Sequence, residues 1–222
     1  MKKNTNENYF ALMRSTGCGI MSENMETGAD SIVAIACSTG GPKALQSVIP
    51  LLHANLNAPV VIVQHMPEGF TRSLADRLNE LSELNVTEAV EGEVLECGRV
   101  YVAKGGLHME IHMNSLNQPV IRYQGKPLRE GVRPCANYMY ESLAESCYAR
   151  IICVVLTGMG SDGRDGIALL KSKKKIQVIA QNEDTSVVYG MPKCIVEAGL
   201  ADEVVPLTRI ADRIEKLAGL RK

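Results

Sequence analysis

Ser31-Ile32-Val33-Ala34-Ile35-Ala36-Cys37 runs directly into Ser38-Thr39-Gly40-Gly41-Pro42, and a helical apolar pattern continues from Pro42 to Leu52. A short run of β-branched and small apolar residues, a Gly-rich turn and then a helix read as the opening of a β-α-β unit. The turn sets the Ser38 hydroxyl at the place where the chain leaves the sheet. Turns of this kind leave backbone N–H groups exposed beside the side chain, and small residues allow a carbonyl to approach them.

Outward from this turn the pattern alternates. A strand is predicted over Pro59 to Gln64, then a helix from about Thr71 to Leu84; after Asn137 follow helix Asn137 to Cys147, strand Ile151 to Leu156, helix Asp165 to Lys173, strand Gln177 to Ala180, a short helix near Pro192 to Ala198 and a final helix Leu207 to Leu217. Alternating Val/Ile-rich strands and helices predict an α/β fold, a doubly wound, mostly parallel sheet. The middle of the chain differs. Val86 to Ala89, Arg99 to Ala103, His108 to Met113 and Pro119 to Tyr123 are short strand-like runs between turn signals at Glu91-Gly92, Gly105-Gly106 and Asn114-Ser115, and they predict an inserted antiparallel hairpin section. Residues 1–30 are polar without a sustained period and read as a flexible N-terminal tail, leaving 31–222 as one catalytic domain.

Composition narrows the function. With 24 basic and 25 acidic residues and a net charge of −1, no overall field favours nucleic acid or an anionic membrane. The apolar runs are strand-sized and the N-terminus lacks an apolar signal core, so no membrane insertion and a cytoplasmic location are expected. The seven cysteines form no CxxC pair, which fits a reducing compartment. No cofactor is implied and no metal site is expected. His53, His65, His108 and His112 show no ligand spacing, and His108 and His112 would stand about 13 Å apart on one strand face.

In open α/β sheets functional groups gather beyond the carboxyl ends of the strands. Ser38 follows the first strand, His65 follows Val60-Val61-Ile62-Val63-Gln64, and Asp162 follows Val154-Val155-Leu156 through Thr157-Gly158-Met159-Gly160-Ser161. All three are therefore expected on one edge, and such a set is recognised by geometry and not by order in the chain. The expected chemistry is nucleophilic attack by Ser38, with His65 as base and then acid and Asp162 orienting the imidazole. Backbone N–H groups of the two Gly-rich turns, at Thr39, Gly40, Met159 and Gly160, are candidates to bind an oxyanion or substrate. Arg72, on the helix after His65, is a further substrate-binding candidate, set against the alternative of an exposed, salt-bridged helix.

Those segments carry a resemblance. ACSTGGP, VIVQHMPEGFTRSLADRLN, EGEVLECGRVYVAKGGLHMEI, VVLTGMGSDGRDGIALL and AQNEDTSVVYGMP are similar to the catalytic domain of the chemotaxis protein-glutamate methylesterases, the CheB family, over about Ile32 to Leu217. The resemblance implies that Ser38, His65 and Asp162 form the triad and that Thr39 and Met159 occupy active-site positions. It implies hydrolysis of γ-glutamyl methyl esters on the cytoplasmic bundle of chemoreceptors, releasing methanol, and in many members deamidation of receptor glutamines. The usual member carries an N-terminal receiver domain that residues 1–30 are too few to supply; constitutive activity or control by a separate regulatory protein is the expectation. Ala36-Cys37 stands where Gly-Ala or Gly-Ser is common, and Arg133-Pro134-Cys135-Ala136-Asn137 where RPSVD is common.

Two other readings stay open at this point. Gly158-x-Gly160-x-x-Gly163, between a predicted strand and helix, with Glu183 20 residues beyond Gly163, satisfies the local dinucleotide-binding fingerprint. A non-catalytic receptor-binding module of the same fold would keep the surface and lose the turnover.

Overall fold

The computed structural model describes residues 30–221, so the expected tail lies, but for its last residue, outside the described residues. The sheet is built from β1 (Ser31–Cys37), β2 (Val60–Gln64), β3 (Asn85–Glu88), β4 (Arg99–Val102), β7 (Arg150–Val155), β8 (Ile176–Gln181) and β9 (Glu203–Val205), in the order β3-β4-β2-β1-β7-β8-β9. Every pairing in it is parallel. A separate antiparallel pair, β5 (His108–Met113) and β6 (Pro119–Gln124), packs beside it. The doubly wound, mostly parallel sheet with an antiparallel insert is therefore borne out.

Each central strand is buried on both faces because its two side-chain sets meet different layers. On β1, Ile32, Ala34 and Ala36 join one core with α3 (Ala136–Ser142), α4 (Arg164–Lys173), α5 (Met191–Glu197) and the β5-β6 hairpin. Val33, Ile35 and Cys37 join the other, with α1 (Gly41–Val48), α2 (Phe70–Leu81) and α6 (Leu207–Ala218). Each fully buried Val or Ile contributes about 1.5–3 kcal/mol, so a one-residue slip of β1 would exchange the small and large sets between two differently shaped layers.

The antiparallel section is smaller than expected. β3 and β4 belong to the main sheet, parallel to β2, and only β5 and β6 run antiparallel. Val86, Val100 and Val102 are covered by the α1/α2 layer while Ala89, Tyr101 and Ala103 face the hairpin, and two-sided burial is the condition under which parallel strands persist. The first helix also ends early. Ile49–Leu51 is a 3₁₀ turn because Pro50 cannot donate to the continuing α-helical ladder.

Strand order reverses at β1: the chain builds outward to β2, β4 and β3 on one side, then returns to place β7 on the other. This switch point opens a crevice beyond the carboxyl ends of β1 and β7. Ser38 and Thr157 are the first turn residues after the ends of these strands' apolar runs, and His65 follows the end of β2 next door.

Candidate active site

Three turns are sewn together by their backbones before any catalytic side chain is considered. Ser38 N–H donates to Thr157 O at 3.0 Å and His65 N–H donates to Cys37 O at 3.1 Å. The Thr157 hydroxyl donates to Thr39 O at 2.9 Å and accepts from Val188 N–H at 3.0 Å. The strand ends are thus tied laterally, and the groups they carry sit on a fixed frame.

Gln64 adds a side-chain staple. It is buried, and its Nε2 donates both protons to main-chain carbonyls, to Ser38 O at 3.0 Å and His65 O at 2.9 Å. Its Oε1 accepts from the Cys37 thiol at 3.1 Å. The sequence singled out His65 and passed over Gln64, although the register Cys37↔Gln64 places it directly against the strand that leads into Ser38. Close approach here requires glycine at 41, since a Cβ on Gly41 would stand 1.9 Å from Gln64 Oε1. Gly41→Ala is therefore expected to displace the amide and with it the main chain of both Ser38 and His65. A displacement of this size lowers kcat by about 100-fold, and steady-state kinetics on the folded variant measures it.

Asp162 is the most strongly held group of the site. Its side chain is 3% exposed, and Oδ2 accepts from His65 Nε2 at 2.7 Å and from Ala136 N–H at 2.6 Å. Oδ1 accepts from Asn137 N–H at 2.9 Å and from the Cys135 thiol at 3.0 Å. Burial alone would push this carboxyl up; the His65 and Cys135 hydrogen bonds, the His65 charge and the Ala136 N–H more than offset it and hold it below the ordinary aspartate range. With a carboxylate accepting at Nε2, the His65 proton is assigned to Nε2, which leaves Nδ1 as the acceptor of the ring. The 135–137 segment, 25 to 27 residues before Asp162 in the chain, was legible only as a sequence variation.

The structure brings Ser38, His65 and the Asp162 carboxylate to the same sheet edge, with the His65–Asp162 contact closed. Among the described residues, Ser38 Oγ donates to no protein acceptor. Among the described residues, the N–H groups of Thr39, Gly40, Met159 and Gly160 are likewise committed to no protein acceptor. Gly190 presses on the second turn from behind: its N–H donates to Gly158 O, and a Cβ there would meet Gly158 O at 2.7 Å and Gly160 N at 3.1 Å. The rim is open and partly apolar, with Met159 75% and Val187 66% exposed. Arg72 is exposed on the first turn of α2 and lines a groove with Asp76, Glu88, Lys104 and Tyr123.

The glycine-rich turn does have strand–turn–helix context, between β7 and α4. Its donors at the start of α4 are taken, however. The Asn137 Oδ1 atom accepts from Gly163 N–H at 3.1 Å and Gly166 N–H at 2.7 Å, and the Asp162 carboxylate lies buried in the same turn. A pyrophosphate needs those free N–H groups and no neighbouring anion, so the dinucleotide reading loses its physical basis. His108 faces Pro127 O and His112 faces Glu110, and among the described residues no group of three or more His, Cys, Asp or Glu could hold a metal.

Fold and geometry define the class: a doubly wound α/β protein with a Ser/His/Asp cluster at its topological switch point. The chain belongs to the CheB methylesterase family, whose model matches residues 33–214. It is 47% identical over 189 residues to the protein-glutamate methylesterase/protein-glutamine glutaminase of Geobacillus kaustophilus, covering 85% of this chain and 54% of that protein. Against the protein of the same name from Bacillus subtilis it is 47% identical over 184 residues, covering 82% and 51%. The chain spans about half the length of the curated relatives it matches. The crystal structure of the Thermotoga maritima CheB methylesterase catalytic domain superposes with a TM-score of 0.81 at 41% identity, covering 84% of this chain and 97% of that one.

Proposed function

We propose that this protein hydrolyses γ-glutamyl methyl esters on the cytoplasmic domain of chemoreceptors, releasing methanol, and deamidates receptor glutamines at the same site. The observation that carries the reading is the Ser38, His65 and Asp162 set at one switch point, with His65 Nε2 2.7 Å from Asp162 Oδ2. In the proposed cycle Ser38 Oγ attacks the γ-carbonyl carbon and its proton passes to His65 Nδ1. The oxyanion is taken by free N–H groups of the Thr39-Gly40 and Met159-Gly160 turns, a contribution of roughly 3–4 kcal/mol. The imidazolium, stabilised by Asp162, protonates the departing methoxide. Water then repeats the sequence on the acyl-serine and restores the enzyme. With a glutamine substrate ammonia departs in place of methanol.

An open rim suits a side chain presented by a folded protein surface better than a free small molecule. Among the described residues no helix is long and apolar enough to cross a membrane, and we place the enzyme in the cytoplasm with its substrate domain. The test is methanol release from a methylated chemoreceptor cytoplasmic fragment, with the unmethylated fragment as blank. Release that scales with methyl-ester content is expected. No release from the folded protein, on a substrate cleaved by another methylesterase, overturns the reading in favour of a non-catalytic receptor-binding module.

A further inference from the structure

Asn137 uses every polar side-chain atom it has, and each use bears on Asp162. It is fully buried. Its main-chain N–H donates to Asp162 Oδ1 at 2.9 Å. Its Oδ1 accepts from Gly163 and Gly166 N–H at 3.1 and 2.7 Å, which fixes the chain directly after Asp162 and the start of α4. Its Nδ2 donates to Glu130 Oε1 at 2.7 Å, and the Ser161 hydroxyl, directly before Asp162, donates to Glu130 Oε2 at 2.7 Å. The orientation of the amide is determined by its partners: the oxygen faces two N–H donors and the nitrogen faces a carboxylate.

We infer that Asn137 and Glu130 form a clamp that positions the triad aspartate, gripping the chain on both sides of Asp162 while the Asn137 backbone holds the carboxylate itself. This rests on the reading of Ser38, His65 and Asp162 as a triad. Neither residue touches substrate; both are positioning residues acting through Asp162 on His65. The clamp depends on which partner donates. The substitution Asn137→Asp brings in the residue common in RPSVD and would keep the acceptor for Gly163 and Gly166, but in this chain, with Glu130 opposite, it would set a carboxylate oxygen against a carboxylate with no proton between them. Like charges at hydrogen-bond distance repel, so the Glu130 arm and Ser161 with it would swing away. Adding Glu130→Gln would then repair the damage. The new amide nitrogen can donate to the new carboxylate while its oxygen accepts from Ser161, so donor and acceptor are exchanged and the formal charge of the pair is kept.

The test is a double-mutant cycle of Asn137→Asp, Glu130→Gln and the pair. Methyl ester hydrolysis is assayed where circular dichroism shows each variant folded, and the downfield proton resonance of His65 Nε2–H is followed by NMR, assigned by its loss in His65→Asn. Asn137→Asp is expected to lower kcat by about 10- to 100-fold with KM within about twofold, and to shift or broaden the resonance. The double variant is expected to recover most of both. A residue needed only for folding would lose activity in step with thermal stability, with no rescue by exchanging donor and acceptor. Parent kcat in Asn137→Asp, or a double variant no better than Asn137→Asp, overturns the inference. Should Asn137→Asp not fold, Glu130→Ala carries the test: lowered kcat at unchanged KM supports the clamp and parent kcat removes it. The resonance needs no turnover, so it decides the clamp even if Ser38→Ala shows the triad reading to be wrong.

Discussion

Ser38→Ala leaves a folded protein whose ester hydrolysis is slower by on the order of 10⁶-fold, the loss seen when the nucleophile of a serine triad is removed. The fold survives because the backbone of Ser38 carries its structural work: its N–H is held by Thr157 O, and its carbonyl accepts from Gly41 N–H and Gln64 Nε2. None of these bonds uses Oγ. Nor can the neighbouring thiol take over. Cys37 is fully buried in the core layer of α1, α2 and α6, its Sγ–H is donated to Gln64 Oε1, and burial pushes the thiol far above its usual range, which disfavours the thiolate a nucleophile needs. Methanol release and the unfolding midpoint, measured on the same preparation, check both halves. Turnover near that of the parent would sink the serine mechanism outright.

The strands and the edge they share were legible because their signals are local. Ser31 to Cys37 was read to the residue, since a run of β-branched and small residues closed by Ser-Thr-Gly-Gly has one sensible boundary. Strand direction was not legible. Val86 and Val100 alternate with a period of two whether their strand runs parallel or antiparallel to its neighbour; what decides is the α2 layer above them, which only tertiary structure supplies. β9 escaped altogether, because three residues of an edge strand, Glu203–Val205, half exposed, carry no period.

The candidate site divides in the same way. Ser38, His65 and Asp162 were found by a topological rule, since each follows a strand of a parallel sheet and the rule places such ends together. The groups that hold them were not found. Ala136 and Asn137 hold Asp162 through main-chain N–H groups, which every residue but proline has, and Gln64 holds the Ser38 and His65 carbonyls from a buried position that sequence offers equally to any strand-terminal residue. Positioning by backbone leaves no side-chain signature. It becomes visible only when the donors and acceptors around one carboxylate are followed one by one.

Following them predicts what Asp162→Asn does. The carboxylate accepts from four donors, two at each oxygen: His65 Nε2 and Ala136 N–H at Oδ2, Asn137 N–H and Cys135 Sγ at Oδ1. An asparagine has one acceptor oxygen, so its NH₂ group must face one of these pairs. If it faces Ala136 and His65, the imidazole can remain bonded only by accepting at Nε2, which moves its proton to Nδ1 and disables the base toward Ser38. If it faces Cys135 and Asn137, the buried N–H of Asn137 is opposed by another donor, at a cost of about 1–3 kcal/mol. Both orientations are damaging, and kcat is expected to fall by about 10⁴-fold, the scale set by the wrong-tautomer effect in serine triads. The same substitution changes the response to acid. Because the folded state holds the Asp162 carboxyl below its unfolded range, the group contributes stability that is fully present above the ordinary aspartate range and is lost as pH falls through the lowered folded value. The difference in unfolding free energy between parent and Asp162→Asn, followed by urea denaturation, should therefore be largest near neutral pH and shrink below about pH 4. A difference that does not change with pH would mean that the donors around Asp162 do not stabilise its charge, and the account of the site built on them would fall.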